Sequence, residues 1–214
     1  MIKLIYISWR KGEGERRYII AKIKKNASGY TFLYLPKAVE KAKVDGFKFF
    51  PGFQDLNKEY VQNVIETLSL RLIPKDRPDR ISFLTFWEAQ NETDAFTLLG
   101  LTQAKSSTDN FEFLARYNPI NNLKFVTDLA GLSHLQLERN SLRVGDKLQY
   151  EFESENVYDK YAVKVLKGKM LVGYIKKIHN RVFQKNRRPY NLTVKAIDQN
   201  GFIKQIFVKV EAQV

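Results

Sequence analysis

The spacing of apolar residues in the first half of the chain changes from a strand-like to a helix-like period near residue 57. Before that point apolar side chains alternate loosely and are interrupted at Gly12, Gly14 and a polar turn at 26–29. Alternation of this kind predicts β-strands. The three predicted strands are 2–9, 17–24 and 30–35.

From residue 57 the apolar residues recur three and four positions apart, which places them on one face of a helix. Pro74 ends this predicted helix, which covers 57–72. Before it lies a phenylalanine-rich loop around Pro51 and Gly52, whose rings are expected to pack in the core. Shorter helices are predicted at 37–43, 81–89 and 94–99.

The C-terminal part follows a turn of proline and asparagine at 118–122 and has an almost wholly strand-like pattern. Short apolar runs separated by glycine-containing turns are typical of a barrel closed on itself. These runs are 125–132, 147–152, 162–166, 171–175, 192–197 and 203–210, with one short helix at 176–183. We therefore predict an α+β protein, with a mixed strand and helix region at 1–118 and a small β-barrel domain at 119–214.

Composition narrows the function classes. A net charge of +13 and a pI near 9.7 favour a polyanionic partner, because cationic side chains release counterions from a phosphate backbone. The absence of cysteine excludes disulfides, cysteine-ligated metals and a thiol nucleophile. We expect neither cofactor nor metal. No apolar run is long enough to span a membrane, and the first residues are too short and amphipathic for a secretion signal, so the sequence predicts a cytoplasmic protein.

The positive charge is concentrated in the C-terminal part, where residues 121–214 carry +8 of the total. No acidic residue occurs between Asp159 and Asp198. Aromatic residues are interleaved with the cations, a combination that can stack bases and hold phosphates. From this pattern the candidate nucleic-acid-binding cations are Lys160, Arg181, Arg187 and Arg188.

Three motifs in this part are more specific than composition. GLSH stands at 131–134, ENVYDKYAVKV at 155–165 and VGYIKK at 172–177. In this order and spacing they resemble the signature of the HIRAN domain family over about residues 123–210. The resemblance implies a barrel of the SH3 or OB type that binds nucleic acid. In the fork-remodelling helicases of this family the domain binds the 3′ end of single-stranded DNA, which makes that end the expected ligand.

The resemblance also assigns residues. Asn156, Tyr158 and Asp159 match the family's binding loop, while Tyr174 and Lys177 match its second strand and the start of its helix. An aspartate can accept a hydrogen bond from a 3′-hydroxyl, a tyrosine can stack on the last base, and a lysine can neutralise phosphate.

One part of the family pattern is missing. Ser133 and His134 stand where the helicase members carry an arginine and a tyrosine that grip the strand end. His134, at the expected strand end, is a candidate replacement for that tyrosine, although a lone histidine at a strand end is more often a structural residue. Recognition of a free 3′ end, and the choice between DNA and RNA, therefore stay open.

The N-terminal region carries a second, looser resemblance. The segments FPGFQDL at 50–56, RL at 71–72, FTLLG at 96–100 and TDNF at 108–111 resemble the non-catalytic N-terminal part of HipA-like kinases. This implies an alternative function, in which the chain is an antitoxin-like or accessory partner of a HipA-type serine/threonine kinase in a bacterial toxin–antitoxin system. Ser106, Ser107 and Thr108 are candidate phosphate acceptors in that setting.

Catalysis is not expected. The chain lacks the catalytic loop and metal-binding motif of a kinase. The segment 100–106 lacks the second glycine of a phosphate-binding loop and is interpreted as a polar turn after a helix. Glu151, Glu153 and Glu155 alternate along one strand, which indicates a solvated face rather than a nuclease metal site. We predict a non-enzymatic binding protein.

Overall fold

The computed structural model describes residues 2–185 and 189–213 of the chain. The chain divides into two compact units, with the boundary between Arg116 and Tyr117. Each unit has its own antiparallel sheet. Among the described residues, no helix is long and apolar enough to cross a membrane.

The first unit is built on a four-stranded antiparallel sheet in the order β3-β2-β1-β4. Its strands are β1 Leu4–Trp9, β2 Tyr18–Asn26, β3 Gly29–Tyr34 and β4 Phe111–Ala115. The first three agree with the predicted strands, but the sequence pattern did not predict β4. All of its residues are buried, so it lacks the alternation that marks a half-exposed strand.

Four helices complete this unit: α1 Pro36–Val44, α2 Val64–Ser69, α3 Arg80–Phe86 and α4 Ala95–Leu101. The predicted helix over 57–72 is wrong in its first half. Tyr60 instead pairs with Phe32 of β3 through two backbone hydrogen bonds of 2.9 and 3.0 Å. Asn63 then takes a left-handed conformation, with φ of 53°, and only the six residues of α2 are helical.

The phenylalanine-rich loop packs in the core, as predicted. Phe47, Phe50 and Phe53 are buried, and Phe53 stacks on Phe32 with ring centroids 4.1 Å apart. The Tyr34 hydroxyl fixes the loop backbone, because it donates to the Phe53 carbonyl at 2.7 Å and accepts from the Phe50 amide at 2.9 Å. These rings are therefore unavailable for stacking on bases.

The second unit contains a six-stranded antiparallel sheet in the order β5-β10-β9-β6-β7-β8. Its strands are β5 Lys124–Asp128, β6 Lys147–Glu153, β7 Ala162–Lys167, β8 Met170–Tyr174, β9 Tyr190–Asn200 and β10 Phe202–Ala212. The first two residues of β6 pair with β9, and the residues from Gln149 onward pair with β7. The strand thus passes from one half of the sheet to the other.

The prediction of a closed barrel is wrong, although the α+β class is confirmed. The ladder is open, with β5 and β8 at its edges. A single bridge between Ala130 and Tyr174, with hydrogen bonds of 2.8 and 2.9 Å, joins these edges. The edges pair no further because β5 ends at Asp128 and Gly131, at φ of 81°, turns the chain into a 3₁₀ helix.

Two local predictions in this unit are also wrong. The strand expected over 125–132 stops at Asp128, so His134 lies in the 3₁₀ helix Leu132–His134 rather than at a strand end. The helix expected over 176–183 is replaced by the 3₁₀ turns His179–Arg181 and Phe183–Lys185. Ile178 has φ of 84°, a conformation that costs a β-branched residue energy and interrupts an α-helix.

Candidate nucleic-acid interface

The loop between β6 and β7 holds four of the predicted site residues, and Asn156 organises it. The Asn156 Oδ1 atom accepts hydrogen bonds from the backbone amides of Tyr158 and Asp159, both at 3.0 Å. Its Nδ2 group donates to Glu153 at the end of β6, at 2.6 Å. Asparagine favours such turns because its short side chain can bond the backbone two residues further on. Both polar groups of the Asn156 side chain thus hold the loop in this conformation.

Asp159 ties this loop to the turn at His179–Arg181. One carboxylate oxygen, Oδ2, accepts from the side chain of the buried Asn180 at 2.8 Å. The other, Oδ1, accepts from the Tyr161 amide at 3.1 Å and lies 3.7 Å from the Arg181 guanidinium. Asn180 also donates to the Tyr161 carbonyl at 2.9 Å. Asp159 therefore already has three contacts before any ligand approaches.

Tyr161 and Arg181 form a stacked pair beside that junction. The Arg181 guanidinium carbon lies 3.6 Å from the centre of the Tyr161 ring, and the Lys160 ammonium lies 5.1 Å from it. Contacts of this kind are attractive because the ring face is negatively polarised. The pair places two predicted cations, Lys160 and Arg181, around one aromatic ring.

Tyr158 projects from the loop into solvent. Its exposed fraction is 88%, and that of the neighbouring Val157 is 87%. Phe152, at the end of β6, is 53% exposed. Large contiguous areas of exposed apolar surface often mark binding sites. The loop is held by Asn156 and Asp159, so the exposed ring of Tyr158 stands on an ordered support.

Tyr174, at the end of β8, interacts electrostatically with Glu153, the residue that also binds Asn156. Burial raises the pKa of Tyr174, and the Glu153 carboxylate raises it further. The ring packs on Gly131, where an added Cβ would come within 3.2 Å of it. Gly131 thus allows close contact between β8 and the turn that carries His134.

The concentrated positive charge is partly neutralised within the unit. Lys164 lies 3.5 Å from Glu151 and 3.8 Å from Glu153, and Lys167 lies 2.6 Å from Asp146. Lys167 lowers the pKa of Asp146 through their hydrogen bond. Among the described residues between Asp159 and Asp198, the cations that are exposed and have no carboxylate within 4 Å are Lys160, Lys169, Lys177 and Lys185.

Two adjacent lysines have opposite environments. Lys176 is 1% exposed, and its ammonium lies 2.5 Å from the buried Asp128 carboxylate. Asp128 also accepts a hydrogen bond of 3.0 Å from Gln205 of β10. Lys177 is exposed. Of the two, only Lys177 is placed to contact a phosphate.

The structure brings most predicted site residues together. Asn156, Asp159, Lys160, Arg181 and Tyr174 form one connected set of contacts through Glu153, Asn180 and Tyr161. His134 is exposed in the turn that follows Gly131. The predicted residues Arg187 and Arg188 lie outside the described residues.

The sequence analysis did not identify Asn180, and it interpreted Glu153 only as part of a solvated strand face. Asn180 is a buried polar side chain whose partners lie 19 and 21 residues away in sequence, so no local signal marks it. Its buried neighbour His179 is a core residue, bonded to Thr127 at 2.8 Å. Among the described residues, no group of three His, Asp or Glu side chains comes together as a metal site.

The second unit is thus a small antiparallel sheet domain that bears an ordered aromatic loop and exposed lysines. Residues 123–200 match the sequence model of the HIRAN domain. The predicted HIRAN domain in the C-terminal part is thereby confirmed. The match leaves the resemblance of the N-terminal region to HipA-like kinases untested.

Two solved structures are similar to part of the chain. The HIRAN domain of human HLTF is 17% identical, covering 42% of this chain and 76% of that one, with a TM-score of 0.34. A protein from Lactobacillus plantarum is 20% identical, covering 43% of this chain and 95% of that one, with a TM-score of 0.35. No curated protein matches the chain.

Proposed function

We propose that the chain binds single-stranded nucleic acid through the loop between β6 and β7, and that single-stranded DNA with its 3′ end is the preferred form. The observation that carries the proposal is the placement of Tyr158. An aromatic ring 88% exposed, on a loop fixed by Asn156 and Asp159, is a platform on which a base can stack.

The cations around the loop supply the electrostatic part of binding. Lys160 and Lys177 are exposed, and Arg181 is 26% exposed while it stacks on Tyr161. These side chains contact phosphates without reading sequence, so they favour any single strand. Glu153 and Asp159 work in the opposite direction, because two carboxylates near the loop repel a phosphate that comes close to them. The combination favours a strand end whose last group is a hydroxyl.

The proposed role is binding rather than catalysis. Glu151 and Glu153, the carboxylates that alternate along β6, both lie within 4 Å of Lys164. Among the described residues, neither carboxylate belongs to a group of three His, Asp or Glu side chains that could hold a catalytic metal ion. This supports a non-enzymatic protein. Docking of a HipA-like kinase through the first unit remains a prediction from the sequence resemblance alone.

End recognition is tested by comparing three single-stranded DNA oligonucleotides of one sequence, with a 3′-hydroxyl, a 3′-phosphate or a blocked 3′ end. We expect the hydroxyl form to bind about tenfold more tightly than the phosphate form, because a second charge must approach Glu153 and Asp159. The measurement is fluorescence anisotropy with a label on the 5′ end. An RNA oligonucleotide of the same sequence shows whether the chain prefers DNA or RNA.

Equal affinities for the three ends would remove end recognition and leave binding along the strand. Asp159→Asn is the matched variant, because its amide oxygen can keep one of the two accepted hydrogen bonds, that from Asn180, while the charge is removed. We expect this variant to bind the 3′-phosphate form more tightly than the original chain does. If Asp159→Asn bound the 3′-hydroxyl and 3′-phosphate forms with the same affinities as the original chain, Asp159 would not face the strand end.

A further inference from the structure

The first unit contains a cleft that the proposed nucleic-acid function does not use. Its volume is about 680 Å³, within the range of small-molecule sites. Its walls come from the loop at 50–52, the segment from α2 to Arg77, Phe83 of α3 and the loop at 105–108. All of these belong to the first unit.

The walls combine cations with apolar groups. Arg71, Arg77 and Lys105 line the cleft. Each lies within 4 Å of a carboxylate that is not itself on the walls, namely Asp109, Asp79 and Glu112 in turn. Hydroxyl groups of Thr67, Ser106, Ser107 and Thr108 add neutral hydrogen-bond donors. The apolar part includes Phe83, Pro74 and Leu70, whose exposed fraction is 85%. Such a lining suits a ligand with one anionic group and a flat or apolar body.

The loop that carries the hydroxyl groups is held rigidly. Gln103 and Ala104, just before it, have positive φ values of 57° and 41°. This conformation costs free energy in residues other than glycine, so contacts with the surrounding structure must maintain it. Arg71 supplies them, because its guanidinium donates to the Ala104 carbonyl at 3.1 Å and binds both oxygens of Asp109 at 2.5 and 2.8 Å. The wall is thus preorganised before a ligand binds.

Arg77 is the cation best able to exchange its partner for a ligand. It binds Asp79, two residues away, at 2.6 and 3.0 Å. Both side chains are more than half exposed, at 57% and 55%. An exposed ion pair contributes little to stability, so turning Arg77 toward a bound anion costs little. Arg71, by contrast, is 11% exposed and is needed by the wall itself.

We propose that this cleft binds a nucleoside monophosphate, with the phosphate held by Arg77, Lys105 and the hydroxyls at 106–108. A phosphate monoester has three terminal oxygens that need several donors, and the mixture of guanidinium, ammonium and hydroxyl groups meets that need. The base and sugar contact Leu70, Pro74 and Phe83. The site is independent of the proposed single-strand interface.

Tryptophan fluorescence gives a readout confined to this unit, because both tryptophans, Trp9 and Trp87, belong to it. Trp87 lies beside the cleft residue Phe83, with ring centroids 6.5 Å apart. We expect adenosine 5′-monophosphate to change the emission of the full chain with saturation. Adenosine and inorganic phosphate should each bind at least tenfold more weakly, because each uses half of the site. Inorganic phosphate as effective as the nucleotide would overturn the proposal.

Two loop residues supply a matched pair of variants. Arg77→Ser should weaken binding of the nucleotide about tenfold, which is the loss of one charge-assisted hydrogen-bonded contact. Lys75→Ser, which removes an equal charge from an exposed residue off the cleft wall, should leave it unchanged. Ser107→Asp should abolish binding by repulsion, and Tyr158→Ala should have no effect. An equal loss in both lysine and arginine variants, or a loss in Tyr158→Ala, would overturn the assignment of the site to this cleft.

Discussion

Replacing Tyr158 by alanine is expected to weaken the binding of single-stranded DNA by roughly 5- to 150-fold, the loss of one base stacked on an aromatic ring at about 1–3 kcal/mol. Stability should not change. The side chain is 88% exposed, and exposed substitutions usually alter the free energy of unfolding by less than about 0.5 kcal/mol. Fluorescence anisotropy gives the affinity, and thermal unfolding followed by circular dichroism gives the stability.

Phe202→Ala is the control for this prediction. Phe202 is also an aromatic residue of the second unit and is 55% exposed, but it lies at the start of β10, outside the loop between β6 and β7. We expect it to leave the affinity unchanged. Equal losses in the two variants would show that exposed aromatic area, rather than this loop, determines the affinity.

Replacing Lys176 and Lys177 in turn by methionine should give opposite results. Lys176→Met withdraws a buried cation from the buried carboxylate of Asp128. Breaking such a pair costs about 3–5 kcal/mol, because the remaining charge is poorly solvated. Lys177→Met should change stability by less than about 0.5 kcal/mol. It should instead weaken strand binding and reduce the slope of log affinity against log salt by about 0.7, the share of one phosphate contact.

Hydrogen exchange separates these effects, because the protected amides of β9 and β10 report opening of the second unit alone. Anisotropy titrations at several salt concentrations give the slope for Lys177→Met. The double variant Lys176→Met with Asp128→Leu should recover part of the lost stability, since it removes both charges. If Lys176→Met and Lys177→Met gave the same stability, the buried ion pair would not be a structural element of this unit.

These two lysines also show what the sequence can predict. Both were part of one run of positive charge, and nothing local distinguishes them. Lys176 can be buried because it forms an ion pair with Asp128 of β5. Strand order brings these two residues together, and the local sequence does not reveal it. Lys177 was distinguished from Lys176 only by the family motif, and the structure leaves its side chain exposed.

The strands were predictable where one face is buried and the other is not. The spans of β1, β2 and β3 follow from alternation, whereas β4 is buried along its whole length and gives no alternating signal. The helical spacing at 57–72 was misleading because Tyr60 pairs with Phe32 of a distant strand. Tertiary contacts outweighed local periodicity there.

The sequence predicted the motif residues of the candidate site but not the buried residue that holds them in place. Asn156, Tyr158, Asp159 and Tyr174 came from motifs whose order along the chain is visible in sequence. Asn180, which binds Asp159 and the Tyr161 carbonyl, comes from a turn that was predicted to be helix. The strained φ of Ile178 creates that turn, and strain of this kind cannot be inferred from residue type.

The central claim is that the chain binds single-stranded nucleic acid, and an anisotropy titration of a 5′-labelled DNA oligonucleotide with the full chain tests it most directly. Titrations at about 50 and about 200 mM salt should both saturate, with affinity falling as salt rises because each phosphate contact releases counterions. Absence of binding to the oligonucleotide at the lower salt concentration would contradict the account.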